Sequence, residues 1–387
     1  MDLTPTDEQR ALREAARELL AARMPLARLT ALADEPAGGE PAIWPELAEL
    51  GWLGVSVPER LGGAGMGLLE ETILLEESAA ALLPAPLFAT VALALPALLA
   101  AGAEEPVAAV AQGRLRATLA WADPDGDAAL SEASAPRAQA AAVSAGDGEA
   151  TVSGRKTWVP DADRVDALVV VAREAGEPVL LLVGRDEPGV AVRPLATVDA
   201  TRPLAAVELE GARGRLLARG AAAAAALERV RARALTLAAA EAVGIAQRVL
   251  DLACAYAGER RQFGRPIGSY QAVGHALADV YVEVELSRSL VVWAALAVDA
   301  AQHDRERGPG ADAELAVASA AAKAMPAAVA ACERAIQVHG GIGTTWESPL
   351  HRWYKRALAL AALDGPAARS RARVADLVLA DGGATRS

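Results

Sequence analysis

The chain has 387 residues, 53% of them hydrophobic, and its 38 basic and 50 acidic side chains leave a net charge of −12. That length exceeds one typical core, so two or three domains are expected. No basic block stands apart from acidic neighbours, which argues against nucleic acid or an anionic membrane as a partner. The start, Met1-Asp2-Leu3-Thr4-Pro5, has neither the basic region nor the apolar stretch of a signal peptide. Apolar runs are cut by charge or Pro well before about 18 residues, so a soluble cytoplasmic protein without membrane insertion is expected. Cys254 and Cys332 lie far apart in helical patterns without nearby His, which predicts core packing and neither a disulfide nor a metal site.

Thr6-Asp7-Glu8-Gln9 is a capping-box pattern, and Leu12, Ala15, Ala16, Leu19 and Leu20 follow at helical spacing, predicting an amphipathic helix over 6–33. A second helix runs from Ile43 to Gly51. The glycines of 62–67 form a turn; without a preceding βαβ unit their spacing is no dinucleotide fingerprint. Helix resumes over 68–101, interrupted at Pro84 and Pro86, and again over 105–112. Short β-prone runs follow at 117–122, 140–143, 149–152, 167–171, 179–183, 190–192 and 205–209, separated by Asp/Gly/Pro turns. Long helices return over 221–256, 270–302 and 314–338, and a last one over 367–379 ends at Gly382-Gly383. The expectation is an α+β chain with a helical N-domain (1–116), a β-barrel or sandwich middle domain (117–219) and a C-terminal four-helix bundle (220–387).

Two glycine-bearing corners interrupt the C-terminal helices: Glu259-Arg260-Arg261-Gln262-Phe263-Gly264 and Gln337-Val338-His339-Gly340-Gly341-Ile342-Gly343. Together with Pro58-Glu59-Arg60-Leu61-Gly62-Gly63 and Val152-Ser153-Gly154-Arg155-Lys156-Thr157-Trp158, in this order, they make the whole chain resemble the acyl-CoA dehydrogenase family of flavoproteins. The resemblance implies FAD as cofactor, an acyl-CoA or other acyl thioester as substrate, and an external electron acceptor. It also implies a dimer or tetramer, homomeric or mixed, with an acyl-CoA dehydrogenase-like subunit. The family reaction is α,β-desaturation, in which a carboxylate removes the α-proton and the β-hydrogen leaves as hydride to flavin N5. By this resemblance Arg260, with Gln262 and Phe263 beside it, meets the FAD pyrophosphate, a role that suits a guanidinium fork. Gln337, Gly340 and Gly341 correspond to the segment that reaches a neighbouring subunit's FAD, where glycine lets backbone N–H groups approach closely. The plainer reading of both corners is helix capping.

Trp158 corresponds to the Trp that packs on the flavin; the alternative is a core aromatic at a strand end. Pro160 replaces the usual hydroxyl residue and offers neither hydroxyl nor N–H. The usual flavin loop is reduced to Ala122-Asp123-Pro124-Asp125-Gly126-Asp127. The catalytic Glu of the family falls on Asp364, whose carboxylate is drawn back by one methylene, on the order of 1 Å. Asp364 is thus the candidate base, or the cap of an Asp-Gly-Pro turn. The other family position for the base, ten residues before Gly244, is Ala234. Glu241, on the same helix, reads as a buried or interface carboxylate, with a catalytic role as the alternative, and needs an arginine such as Arg260 or a residue of another subunit. These departures resemble the subgroup of acyl-CoA dehydrogenase subunits, common in steroid side-chain degradation, that assemble with a better-equipped partner. A partner subunit without catalysis of its own is the alternative function.

Overall fold

Thr6 opens the first helix through a capping box: its hydroxyl accepts from the Gln9 N–H at 3.2 Å while the Gln9 side chain accepts from the Thr6 N–H at 3.0 Å. The computed structural model describes residues 4–29, 43–124, 129–130, 139–142, 148–301 and 310–384. In it α1 (Asp7–Arg23) stops short of the predicted end at residue 33. Met24 (φ −122°, ψ 52°) precedes Pro25, helix resumes over Leu26 to Leu29, and residues 30–33 lie outside the described residues. Proline removes a donor and disfavours helical geometry in the residue before it, so one amphipathic pattern becomes two pieces.

Next come α2 (Trp44–Glu49), α3 (Leu68–Ala80), a π-helical turn over Ala89–Ala94 continued by α4 (Leu95–Ala100), and α5 (Glu104–Ala111). The strands are β1 (Ala117–Ala120), β2 (Gln139–Ala142), β3 (Glu149–Pro160), β4 (Ala167–Glu174), β5 (Glu177–Gly184), β6 (Val190–Pro194) and β7 (Leu204–Arg219). They form one sheet in the order β1-β4-β2-β3-β7-β5; β6 pairs with β7, and β5 pairs back onto β4, so the sheet curls closed. Leu168, Val170 and Ala172 of β4 face its interior while Val169 and Val171 face the helices. Both faces of that strand are buried, which is why it reads as an unbroken apolar run. The predicted first strand ends two residues early at Ala120, and Val143 of the second lies outside the described residues.

The C-terminal bundle is built on α6 (Gly220–Glu259), α7 (Gln271–Ala301) and α8 (Ala311–His339), with α9 (Leu350–Ala361) and α10 (Ala367–Ala384) packed against α8. α10 continues through Gly382 and Gly383, where the sequence suggested a stop. The α+β fold of helices, curled sheet and helical bundle is the one the sequence predicted. α3 crosses α6 so closely that a Cβ on Gly244 would lie 1.9 Å from the Glu76 carbonyl oxygen. Only glycine fits there. Residues 311–344 are, among the described residues, the one helix long and apolar enough to cross a bilayer, and most of its apolar window is buried within the fold, where α8 packs on α6 and α7. Cys332 is in the core as expected. Cys254 is exposed instead, because it sits about 100° around α6 from the buried Ala253.

Candidate active site

The first corner is a two-residue-loop hairpin that leaves the end of α6: β8 (Arg261–Gln262) pairs with β9 (Arg265–Pro266) across Phe263 (φ 51°) and Gly264 (φ 83°). Two successive positive φ angles match the twist of such a hairpin. Tyr270 braces it, donating its hydroxyl to the Gln262 carbonyl at 3.1 Å, while the Arg265 guanidinium lies 4.0 Å from the Tyr270 ring centroid. Phe263 is 93% exposed, and among the described residues the Arg260 guanidinium has no ion-pair partner.

The second corner ends α8. Gly340 takes φ 66°, ψ −142°, a conformation closed to other residues, and a Cβ on Gly343 would meet the Ile336 carbonyl oxygen at 2.5 Å. Around Gly340 and Gly341 the space is open, and Gln337 is exposed. The Tyr256 and His339 rings stack at 4.3 Å and 17°, which sets the ends of α6 and α8 side by side. Arg260, Gln262 and Phe263 are thereby brought together with Gln337, Gly340 and Gly341. Sequence reasoning missed this stack; two aromatics 83 residues apart carry no pairing signal.

Trp158 stands on a bulge of β3, where the register against β7 shifts between Lys156 and Val159. It has φ 54° and is 46% exposed, so the core-aromatic reading does not hold. Beneath it the buried Lys156 donates to the Trp121 carbonyl at 3.0 Å and to Asp123 Oδ1 at 2.8 Å, and the Thr157 N–H donates to the Ala122 carbonyl. Burial pushes the Lys156 ammonium below the usual lysine range, partly offset by Asp123. Lys156 thus pins the segment at 121–123 to β3; residues 125–127 of that loop lie outside the described residues. Pro160 is buried, and Asp161 after it is 2% exposed with its carboxyl pushed up to about 7 by burial, against the opposing charges of Arg202, Arg164 and Arg356.

A buried ionic junction ties the sheet to the helices. Arg356 of α9 donates to Asp199 and Thr201 and lies 3.9 Å from Glu241 of α6. Arg202 donates to Glu241 at 2.5 Å and stacks over the Phe88 ring at 4.3 Å. Glu241 therefore finds its arginines on the β6–β7 loop and α9, not at Arg260, which lies about 28 Å further along the helix axis. Its second oxygen has no hydrogen-bond partner among the described residues.

Asp364 is 4% exposed and lies 3.5 Å from Arg231 of α6, whose guanidinium also approaches Glu314 at 3.8 Å. Ala234 is one helical turn along α6 from Arg231 and fully buried. The two positions where the sequence sought a base thus belong to one neighbourhood, and an arginine already holds the carboxylate there.

The sequence and fold match known proteins. Family profiles for the acyl-CoA dehydrogenase N-terminal, middle and C-terminal domains match residues 6–110, 118–213 and 220–379. The chain is 32% identical to acyl-CoA dehydrogenase IpdE2 of Mycolicibacterium smegmatis, over 93% of this chain and 96% of that one. It is 34% identical to IpdE2 of Mycobacterium tuberculosis, over 92% of each. Among solved structures, a variant of the Tcur3481-Tcur3483 steroid ACAD superposes with a TM-score of 0.83 at 31% identity, covering 98% of this chain and 99% of that one. The ChsE4-ChsE5 complex from Mycobacterium tuberculosis does so with 0.84 at 28%, with the same coverage. The chain belongs to the acyl-CoA dehydrogenase family, and with it to the oxidoreductases that act on CH–CH bonds.

That family is FAD-dependent, and the residues present fit the phosphate end of such a cofactor. A guanidinium without an ion-pair partner among the described residues, an exposed amide and two glycines opening onto free space form a donor set suited to a pyrophosphate, with an exposed aromatic beside it.

Proposed function

We propose that the chain takes part in α,β-desaturation of an acyl-CoA thioester as one subunit of an FAD-containing mixed oligomer with an acyl-CoA dehydrogenase-like partner. The observation that carries this reading is Phe263, 93% exposed on a braced hairpin beside Arg260. A large aromatic held rigidly in solvent is a surface prepared for contact, and none of the described residues covers it. In this reading Arg260, Gln262 and Phe263 hold the phosphate end of FAD together with Gln337, Gly340 and Gly341, and Trp158 packs on its ring system. Bound FAD supplies the hydride acceptor, and an external acceptor takes the electrons onward. Asp364 accepts the α-proton at its carboxylate once it leaves Arg231. Similarity along the full chain to proteins solved as two-component complexes supports the mixed assembly.

Flavin absorbance of the purified chain, alone and co-expressed with a dehydrogenase-like partner, tests the assembly. Stoichiometric flavin is expected only with the partner; full flavin in the chain alone overturns that part. A second reading, in which this subunit supports a catalytic partner without a base of its own, is favoured by the Asp364–Arg231 pair. Reduction of the bound flavin by acyl-CoA separates the two: loss in Asp364→Asn supports the base, and unchanged reduction supports the supporting subunit.

A further inference from the structure

A cavity of about 310 Å³ lies where the loop at Ser56–Leu61 meets α4, α5, α6 and the end of α7. Its size falls at the lower end of the roughly 300–1,000 Å³ usual for small-molecule sites. Leu61, Pro96, Leu99 and Val298 give it apolar walls. Set into these are Ser56 and three arginines, Arg60, Arg229 and Arg233, against one carboxylate, Glu104. Arg60 and Glu104, both more than half exposed, pair with each other.

Arg233 is the buried member, 5% exposed. Its Nη2 donates to Ser56 Oγ at 2.7 Å and to Glu71 Oε2 at 2.5 Å, and Ser56 donates its own hydroxyl to the other Glu71 oxygen. Those bonds occupy one of the three guanidinium nitrogens. Nε is buried with no hydrogen-bond partner among the described residues, and Nη1 makes no hydrogen bond to them either. A guanidinium carries five N–H donors, and donors left unmet inside a protein are costly. Glu71 balances the charge, so what Arg233 lacks is a further acceptor, and the cavity whose wall it forms has room for one.

Arg229 stands four residues earlier on α6, about 40° around the helix, and adds a second positive charge to the same wall. Arg231 lies about 200° from Arg233 and turns to Asp364 and Glu314. The cavity and the Asp364 neighbourhood thus lie on opposite sides of α6.

We propose that this cavity binds a small aliphatic monocarboxylate, its carboxylate on Arg233 and Arg229 and its hydrocarbon body against Leu61, Leu99 and Val298. The surplus of arginine over carboxylate on the wall selects an acid over its neutral amide. A thioester carries no such charge, so the ligand is a free acid and not the substrate of the reaction proposed above. The site depends neither on how the chain holds flavin nor on Asp364 as base.

Isothermal titration of the full-length chain with hexanoate and with hexanamide, at ionic strength fixed with chloride, tests it. One saturable site per chain is expected for hexanoate, with hexanamide about tenfold or more weaker. Arg233→Lys keeps the charge opposite Glu71 but loses the guanidinium fork, and should weaken hexanoate about tenfold or more. Leu99→Trp fills the cavity from its half-buried wall and should abolish binding while every charge stays in place. Melting curves check that both variants fold; should Leu99→Trp fail to, Ala100→Phe blocks the same cavity. No saturable binding to the wild type, equal binding of hexanamide, unchanged affinity in Arg233→Lys or in the cavity-filling variant, or loss of the same heat in Asp364→Asn would overturn the proposal.

Discussion

The exposed corner at Arg260–Gly264 and the buried junction around Arg356 use the same residue type for opposite ends. At the corner an arginine stands in solvent with no ion-pair partner among the described residues, on a hairpin held rigid by Tyr270. At the junction each guanidinium is inside and matched to carboxylates from a different part of the chain. The difference teaches that an arginine's partners, more than its presence, separate a binding role from an architectural one: a group whose donors are all engaged is part of the fold. By this measure Asp364, held by Arg231, lies closer to the junction than to the corner.

The largest effect should come from the junction. Arg356→Ala leaves Asp199 buried without its arginine and Glu241 with Arg202 alone, and is expected to lower stability by about 3–5 kcal/mol in denaturant melts. Gly244→Ala drives a methyl into the α3 backbone and should cost about 1–3 kcal/mol or more by the same measurement. At the corner, Arg260→Ala should weaken flavin binding by about 1.5–3 kcal/mol, read by titrating FAD into flavin-stripped complex, while the chain's own melt moves within about 0.5 kcal/mol. If Arg260→Ala destabilises the chain as Arg356→Ala does, the contrast between the two regions fails.

A further test sharpens the junction through pH. Asp161 has a folded pKa of about 7, raised above its unfolded value by burial. Between those two values the folded state holds the extra proton, so its contribution to stability is complete below the unfolded pKa and lost as pH rises through about 7. Stability of Asp161→Asn should therefore fall less than that of wild type between about pH 4 and about pH 8, which melts across that range would show; parallel curves would mean Asp161 is ionised in the fold.

Much of this was legible because it is local. Strand alternation, the Thr6 capping box and the two glycine corners each depend on residues within a few positions of one another. The site was legible only as a set of motifs. Trp158 gave no sign of whether it faces core or solvent, since the bulge that turns it outward comes from register against β7, a strand that follows only after three others. The partners of Glu241 were misjudged for the same reason: Arg202 and Arg356 are distant in sequence, and Arg260, though nearer, is separated by the rise of the helix.

The sequence by itself determined the order of helices and strands, the corners that demand glycine, and the family these patterns resemble, because backbone preference and apolar periodicity act over short spans. Only the tertiary structure decided which charges are matched and which stand free. Ion pairing in a buried junction depends on side chains brought together from separate elements, and no pattern along the chain records which carboxylate each arginine will meet.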